Sequence, residues 1–445
     1  MSITSTGIGS GLDVASLVQQ LVAADRAPTA NRIDALESKT KAQISAFGAL
    51  RSAFDSLRTA IGKLRSGDTV DARKATVQSD AGFTASATAK AAVGTYSVEV
   101  LARASAHKLA SQAYAAADTS VGNGHLTITS GETTLEVDID AEHATLQGVR
   151  DAINKAAQGK GVTATIVTAD DGARLVLSAT ATGADNALAI AASGGDGGLS
   201  ALAYAPPAAT TMTQLQAATD AKVKVDGFVR SSASDTIGDM IEGVTLTLTE
   251  AEPGTVKQLT VATDPSVLRS AAKSFVSSWN SAINAMASTT KYDPATKVAA
   301  ALNGDALVRG VARDLRGQLG DSVADLKALG ITIDTNGTLK LDEAAFDAGM
   351  AKDPAAAARL FTADDGLAAG LDASLDHLLD SDGLLKSRDD DLASRTRSIA
   401  DQRAALDTRM SALEARYRAQ FVALDELMTR MQSTSSYLAQ QLDKL

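Results

Sequence analysis

The chain has 445 residues, enough for about three or four domains of roughly 100–200 residues each. Its 42 Lys and Arg against 53 Asp and Glu give a formal charge of −11, which disfavours nucleic acid or anionic lipid as the main partner, because phosphate binding is driven by cations. Aromatic residues make 3% of the chain while the hydrophobic set reaches 45%, cysteine is absent, and the four histidines (His107, His125, His143 and His377) are scattered; cores of Ala, Leu, Val and Ile are implied, while disulfides, thiolate chemistry, a metal centre and other cofactors are not.

The amino terminus, from Met1 to Gly11, has neither a basic region nor a long apolar one, so a cleavable secretory signal is not expected. No apolar run approaches the ~18–20 residues of a membrane span, and no membrane association is expected. Gly7-Ile8-Gly9-Ser10-Gly11 has the look of a phosphate loop, but no strand precedes it and no acidic residue closes a βαβ unit behind it. From Ile33 the apolar residues keep a 3-4 spacing. Ile33, Phe47, Phe54 and Ile61 share one position and Leu36, Leu50, Leu57 and Leu64 the next, with Thr40 and Gln43 as polar interruptions. That is the pattern of a coiled-coil seam. Ser66-Gly67-Asp68 stops it.

Between about Val77 and Ala262 the period becomes two. Tyr96, Val98 and Val100, then Leu126 and Ile128, then Leu135, Val137 and Ile139 alternate with polar residues, and further strands read at 162–167, 175–177, 222–225, 244–248 and 259–261. One helix, Thr145 to about Ala157, interrupts them. The run Ser193-Gly194-Gly195-Asp196-Gly197-Gly198, followed by Pro206-Pro207, has the composition of a linker or hinge and is expected to end an inserted domain that begins near His107.

Helix restarts at Asp264-Pro265 and carries Phe275, Trp279, Ile283 and Met286. Asp334-Thr335-Asn336-Gly337 with Asp342-Glu343 hints at a calcium loop, yet the Gly falls at the wrong position; Asn336-Gly337 fits a two-residue hairpin turn better. At the carboxyl end the heptads return. Leu392, Ile399, Leu406, Leu413 and Leu427 repeat every seven residues or multiples of seven, with Met410, Tyr417, Leu424, Met431 and Leu438 beside them, and no Gly or Pro stands between Asp389 and Asp443. The acidic run Asp389-Asp390-Asp391 suits the start of that helix. A lone helix cannot bury so long a stripe. The economical arrangement pairs it with the amino-terminal helix and lets the middle project, while Gln420, Thr434 and Gln441 dilute the seam toward the end, a terminus that partners would complete. No catalytic constellation emerges. The residues describe a non-enzymatic assembly protein of α+β multidomain class, with a discontinuous helical coiled-coil stalk from both termini and two small β-rich head domains, the outer inserted in the inner; a surface adhesin or fibre-like binding protein is the alternative.

Ordered pieces of the sequence resemble the flagellar filament-capping proteins, also called the hook-associated protein type 2 family. They are Gly7-Ile8-Gly9-Ser10-Gly11-Leu12-Asp13-Val14, Leu17-Val18-Gln19-Gln20-Leu21-Val22, Val225-Asp226-Gly227, Ile241-Glu242-Gly243-Val244-Thr245-Leu246-Thr247-Leu248, Phe275 to Asn284, Lys291-Tyr292-Asp293, Leu329-Gly330-Ile331, Asp334 to Leu341 and Ile399 to Leu442. Leu146 to Ile190 resembles an insertion module shared with some flagellins and hook proteins. The resemblance implies a homo-oligomeric ring, a pentamer in the family, at the extracellular flagellum tip. It also implies export through the flagellar type III apparatus without a cleavable signal, and partners in flagellin and an export chaperone on the carboxyl-terminal helix. The division it implies is terminal legs at 1–32 and 408–445, a stalk domain at 33–76 and 262–407, an inner head domain at 77–106 and 206–261, and an outer one at 107–205. The assembly contacts it points to are Leu12, Leu17, Leu21, Leu424, Leu427, Met431 and Leu438.

Overall fold

The computed structural model describes residues 13–442. They divide into two compact units, one made from the two chain ends (up to Ser66 and from Ser266) and one from Gly67–Pro265. The helices in chain order are α1 (Val14–Arg65), α2 (Gly67–Val70), α3 (Leu146–Ala157), α4 (Pro265–Thr290), α5 (Ala306–Asp321), α6 (Val323–Ala328), α7 (Glu343–Lys352), α8 (Pro354–Phe361), α9 (Leu367–Leu379) and α10 (Leu384–Leu442).

In the unit of the chain ends, α1 begins where Asp13 accepts a hydrogen bond from the Ser16 amide, an N-cap that satisfies one of the orphan donors of the first turn. It then runs through Pro28 to Arg65. Phe54, Leu57, Ile61 and Leu64 of α1 are buried, in the stretch where Arg58 and Arg65 reach Asp376 and Asp372 of α9. The single Trp279 of α4 is also buried, donating from Nε1 to the Gly337 carbonyl at 2.8 Å with Phe275 beside it.

Two sequence readings change here. Strands 331–333 and 339–341 do pair, but the turn has three residues. Asp334 N donates to Thr338 O and Gly337 N to Asp334 O, both at 2.8 Å, with Gly337 at φ +85, the left-handed position that closes a three-residue loop. Asp342 lies beyond it as the N-cap of α7, accepting from the Ala344 and Ala345 amides. The acidic run Asp389-Asp390-Asp391 likewise does not start a helix. α10 begins at Leu384, and these carboxylates instead meet cations, Asp389 with Arg51 of α1 at 3.1 Å and Asp390 with Lys386.

The strands of the middle unit are β1 (Arg73–Val77), β2 (Phe83–Ala87), β3 (Gly94–Ala102), β4 (Ala106–Ala110), β5 (Gly124–Ser130), β6 (Thr133–Ile139), β7 (Val162–Ala169), β8 (Gly172–Thr182), β9 (Leu188–Ser193), β10 (Tyr204–Ala205), β11 (Ala209–Thr210), β12 (Thr213–Gln216), β13 (Ala221–Val225), β14 (Phe228–Ser232), β15 (Thr236–Ile241), β16 (Val244–Leu248) and β17 (Lys257–Thr263). Two cores result. The inner one lies between a sheet ordered β1-β17-β3-β13-β14 and one ordered β15-β16-β2. The outer one gathers β11-β10-β9-β5-β6, β12-β4-β8-β7 and α3, whose Leu146, Val149 and Ile153 face inward. Because β4 to β12 fall between β3 and β13 in the chain, the outer sheets are an insertion in the inner pair.

The glycine run at 193–198 is no linker. Asp196 N donates to Asn123 Oδ1 and Asn123 N to Asp196 Oδ1, a Cβ on Gly195 would meet the Asn123 carbonyl at 2.0 Å, and Leu199 and Leu202 just after it belong to the outer core. Glycine serves close backbone approach at this place rather than flexibility. Outer-core residues continue to Met212, and β12 pairs with β4.

Candidate functional site

With no catalytic constellation in the sequence, the surface that matters is the seam between α1 and α10. The two helices run antiparallel, as their cross-links show in order along the chain. Arg51 meets Asp389, Arg403 meets Asp34 and Glu37 at 2.6 and 2.5 Å, Arg26 meets Asp407 at 2.6 Å, and Tyr417 donates to Asp25 at 3.1 Å. Beneath this ladder Ile33, Ile399, Leu406 and Met410 form a small buried cluster, flanked by Val22, Ala30, Leu36 and Leu413. Thr40, read as a polar interruption, is buried and spends its hydroxyl on the Leu36 carbonyl at 2.8 Å, the i−4 bond a mid-helix threonine can make without a partner helix.

Charge follows the same geometry. Hydrogen bonding from Lys41, with Arg403 next to it, holds the Glu37 carboxyl below its usual range. Donation to the Asp25 carboxylate keeps the proton on Tyr417 and raises its phenol above the ordinary value.

Burial changes along α10 although the periodicity does not. Leu392, Ile399, Leu406 and Met410 are 4–6% exposed, whereas Leu424, Leu427, Met431 and Leu438 are 44–61% exposed. Tyr437, Met428 and Leu442 are exposed as well. Of the expected contacts on α1, Leu21 is exposed and Leu17 half-buried; Leu12 lies outside the described residues. The side chains that α1 turns inward near its start are Val14 and Val18 instead. Helical phase could have found them, since Val18, Val22, Ile33 and Leu36 fall on one face of a 3.6-residue period. Seven exposed apolar side chains on the last turns of α10 are a patch of the kind that marks a protein contact. Among the described residues no group of three His, Asp or Glu side chains could hold a metal, and no helix is long and apolar enough to cross a membrane.

Comparison with known proteins decides what such a stripe belongs to. Family models for the flagellar hook-associated protein 2 amino terminus and carboxyl terminus match residues 10–107 and 218–433, and one for the flagellin hook IN motif matches 125–181. The B-type flagellar hook-associated protein 2 of Pseudomonas aeruginosa is 35% identical, over 99% of this chain and 98% of its own. The chain belongs to the flagellar hook-associated protein 2 family. The Escherichia coli (strain K12) member is 33% identical over 99% of this chain and 98% of its own. The solved D1-D2-D3 domains of the Escherichia coli flagellar cap protein superpose with a TM-score of 0.67 at 30% identity, covering 78% of this chain and 99% of that one. The terminal helices and β-rich modules are thus those of a flagellar hook-associated protein 2, and the chain is a flagellar cap protein.

Proposed function

We propose that this chain acts as an oligomeric ring at the flagellum tip, holding the end of the filament while it helps arriving flagellin fold and insert, with no bond chemistry and no cofactor. The observation that carries the reading is the abrupt exposure of the α10 stripe beyond Tyr417, where Leu424, Leu427, Met431 and Leu438 keep their heptad positions without a covering helix. A seam that persists in sequence but is open in the single chain is suited to partners that change, as in helix-in-groove recognition. Those partners are neighbouring copies and flagellin at the tip, and an export chaperone on the same helix before secretion. Leu12, Leu17 and Leu21 would serve beside them from the other chain end. Passage through the flagellar type III apparatus, without a cleavable signal peptide and to the extracellular tip, fits a chain that has no cysteine to cross-link on the way.

The working division is legs at 1–32 and 408–445, a stalk expected at 33–76 and 262–407, an inner module expected at 77–106 and 206–261 and an outer one starting at 107; we trim the stalk to 33–66 and 266–407, because β1 and β17 pair in the inner sheet. We extend the outer module to 216, because β12 completes its sheet.

Replacing Leu424, Leu427 and Met431 together by Ser in the full-length chain tests the reading. Binding to filament ends and swimming should be lost while the fluorescence of Trp279, remote in sequence and fully buried, is unchanged. Retained end binding and motility would sink the proposal.

A further inference from the structure

Of the four histidines, His143 and His377 are exposed, His125 is half-buried and His107, on β4 of the outer module, is 3% exposed. Neither the helical seam nor the open stripe uses this buried imidazole. A titratable ring inside a core costs stability unless its nitrogens are satisfied, and here they are.

Nδ1 accepts the Leu188 amide at 2.8 Å in a fully buried bond. Leu188 opens β9. Along one side of β9 runs β5, but β10 on the other side meets it only at Ile190, and the imidazole stands in for a strand carbonyl at Leu188. With Nδ1 accepting, the neutral ring keeps its proton on Nε2. Gln214 of β12 hydrogen-bonds the ring as well. Its Oε1 also accepts from the Tyr204 hydroxyl at 2.7 Å, and the Tyr204 ring lies 5.5 Å from the imidazole. β4 and β12 belong to one sheet of the outer module, β9 and β10 to the other. The four groups therefore pin the two sheets together at one polar point beside the outer core.

No charge compensates a proton at this point. On β8, the other neighbour of β4, the residues paired on either side of His107 are Ser178 and Thr182, so Tyr204 is the titratable group that faces the ring among the described residues. Lys108 on β4 and Asp185 in the 184–186 turn before β9 are exposed. Burial, opposed by the Gln214 bond, holds the imidazole below its ordinary 6.5. A proton added at Nδ1 turns the acceptor into a donor aimed at the Leu188 N–H. Two buried donors then face each other, and each loses its partner.

We propose that His107 is a proton-operated latch of the outer module: one proton on Nδ1 releases Leu188 and lets the sheet of β9 and β10 part from that of β4 and β12. The outer module opens in mild acid while the unit of the chain ends keeps its fold. The unfolded chain takes up this proton first as pH falls, so the latch is fully closed above the ordinary value. Below it the opening equilibrium grows by up to about tenfold per pH unit until the folded value is passed. Other groups of the module act differently. His125, bonded by Asp138 and Glu136, is held above its ordinary value, so its contribution is complete in acid and fades as pH rises through the folded value. Asp140, beside the exposed His143, and Asp171 lie below their ordinary 3.8 and weaken the fold only in stronger acid.

A variant that cannot titrate isolates His107 from these. His107→Asn offers the Leu188 amide a side-chain oxygen that takes no proton. Hydrogen exchange of the full-length chain, corrected for its intrinsic pH dependence, is followed from pH ~7.5 to ~5 over residues 186–193 and 204–216. Protection there should fall about tenfold further in the wild type than in the variant, with the fluorescence of buried Trp279 unchanged in both. In the wild-type chain labelled with 15N-histidine, His107 should be the Nε2–H tautomer at neutral pH and should gain its second proton as protection is lost. Equal falls in the two chains, protection that survives protonation of His107, a ring still neutral at pH ~5, or a proton on Nδ1 at neutral pH each overturn the latch. The ring measurement decides the matter even where His107→Asn does not fold.

Discussion

The two halves of α10 obey one sequence rule and meet opposite environments. From Leu392 to Met410 the heptad side chains are buried against α1; from Leu424 to Leu438 the same spacing of the same residue types leaves them open to water. Both halves lack Gly and Pro, and both are helix throughout. What differs is the neighbour. Antiparallel pairing sets residue 403 opposite 34–37 and 417 opposite 25, and Leu424 to Leu438 lie beyond the last of these cross-links. A heptad stripe therefore records that a seam needs covering, not what covers it.

The largest effect expected from that contrast is on stability. Leu406→Ala removes buried side-chain volume from the two-helix seam and should cost about 2 kcal/mol, the low end for Leu→Ala because the site can partly collapse. Leu427→Ala, the same change on the open half, should stay within about 0.5 kcal/mol. Denaturant unfolding followed by helical circular dichroism measures both. Equal losses at the two positions would mean the distal stripe is covered within the single chain, and the contrast would fail.

A sharper version removes the open half altogether. Ending the chain after Gln420 should leave the unfolding midpoint of the remaining structure close to that of the full chain, since the deleted segment buries little. A fall as large as that from Leu406→Ala would show that the distal turns hold α1 in place.

Much of this was legible in the sequence and some was not, for physical reasons that can be named. Heptad spacing gave the long helices, and period-two alternation gave β3, β5, β6, β7 and β16, because these patterns repeat the geometry that burial imposes. The start of α10 was misread because the acidic run lies about one and a half turns inside the helix, where Asp389 meets Arg51 of α1, 338 positions away in the chain. Glycines at 194–198 read as slack because their partner, the turn at Asn123, is some 70 residues earlier. Turn length at Asn336-Gly337 depended on one hydrogen bond, Asp334 to Thr338. The candidate contacts Leu424, Leu427, Met431 and Leu438 could be picked by residue type and spacing, whereas their exposure could not, since the buried Leu392, Ile399 and Leu406 follow the same spacing.

The smallest expected effect concerns acid, and it tests whether the polar ladder belongs to the paired half alone. Glu37 has its carboxyl held low by Lys41 and Arg403. For a group whose folded value lies below its ordinary 4.5, the unfolded chain takes up the proton first as pH falls. The stabilisation is complete above that ordinary value and is lost progressively as pH drops through the folded one. The pair is exposed, so salt and solvent keep the effect modest. Midpoints of unfolding measured at neutral pH and near pH 3 should therefore fall slightly less in Glu37→Gln than in the native chain, and the difference should shrink in high salt. In a chain ended after Gln420 the same difference should persist unchanged, because Arg403 and Lys41 both remain; its disappearance there would tie the ladder to the distal turns and erase the boundary between the two halves of α10.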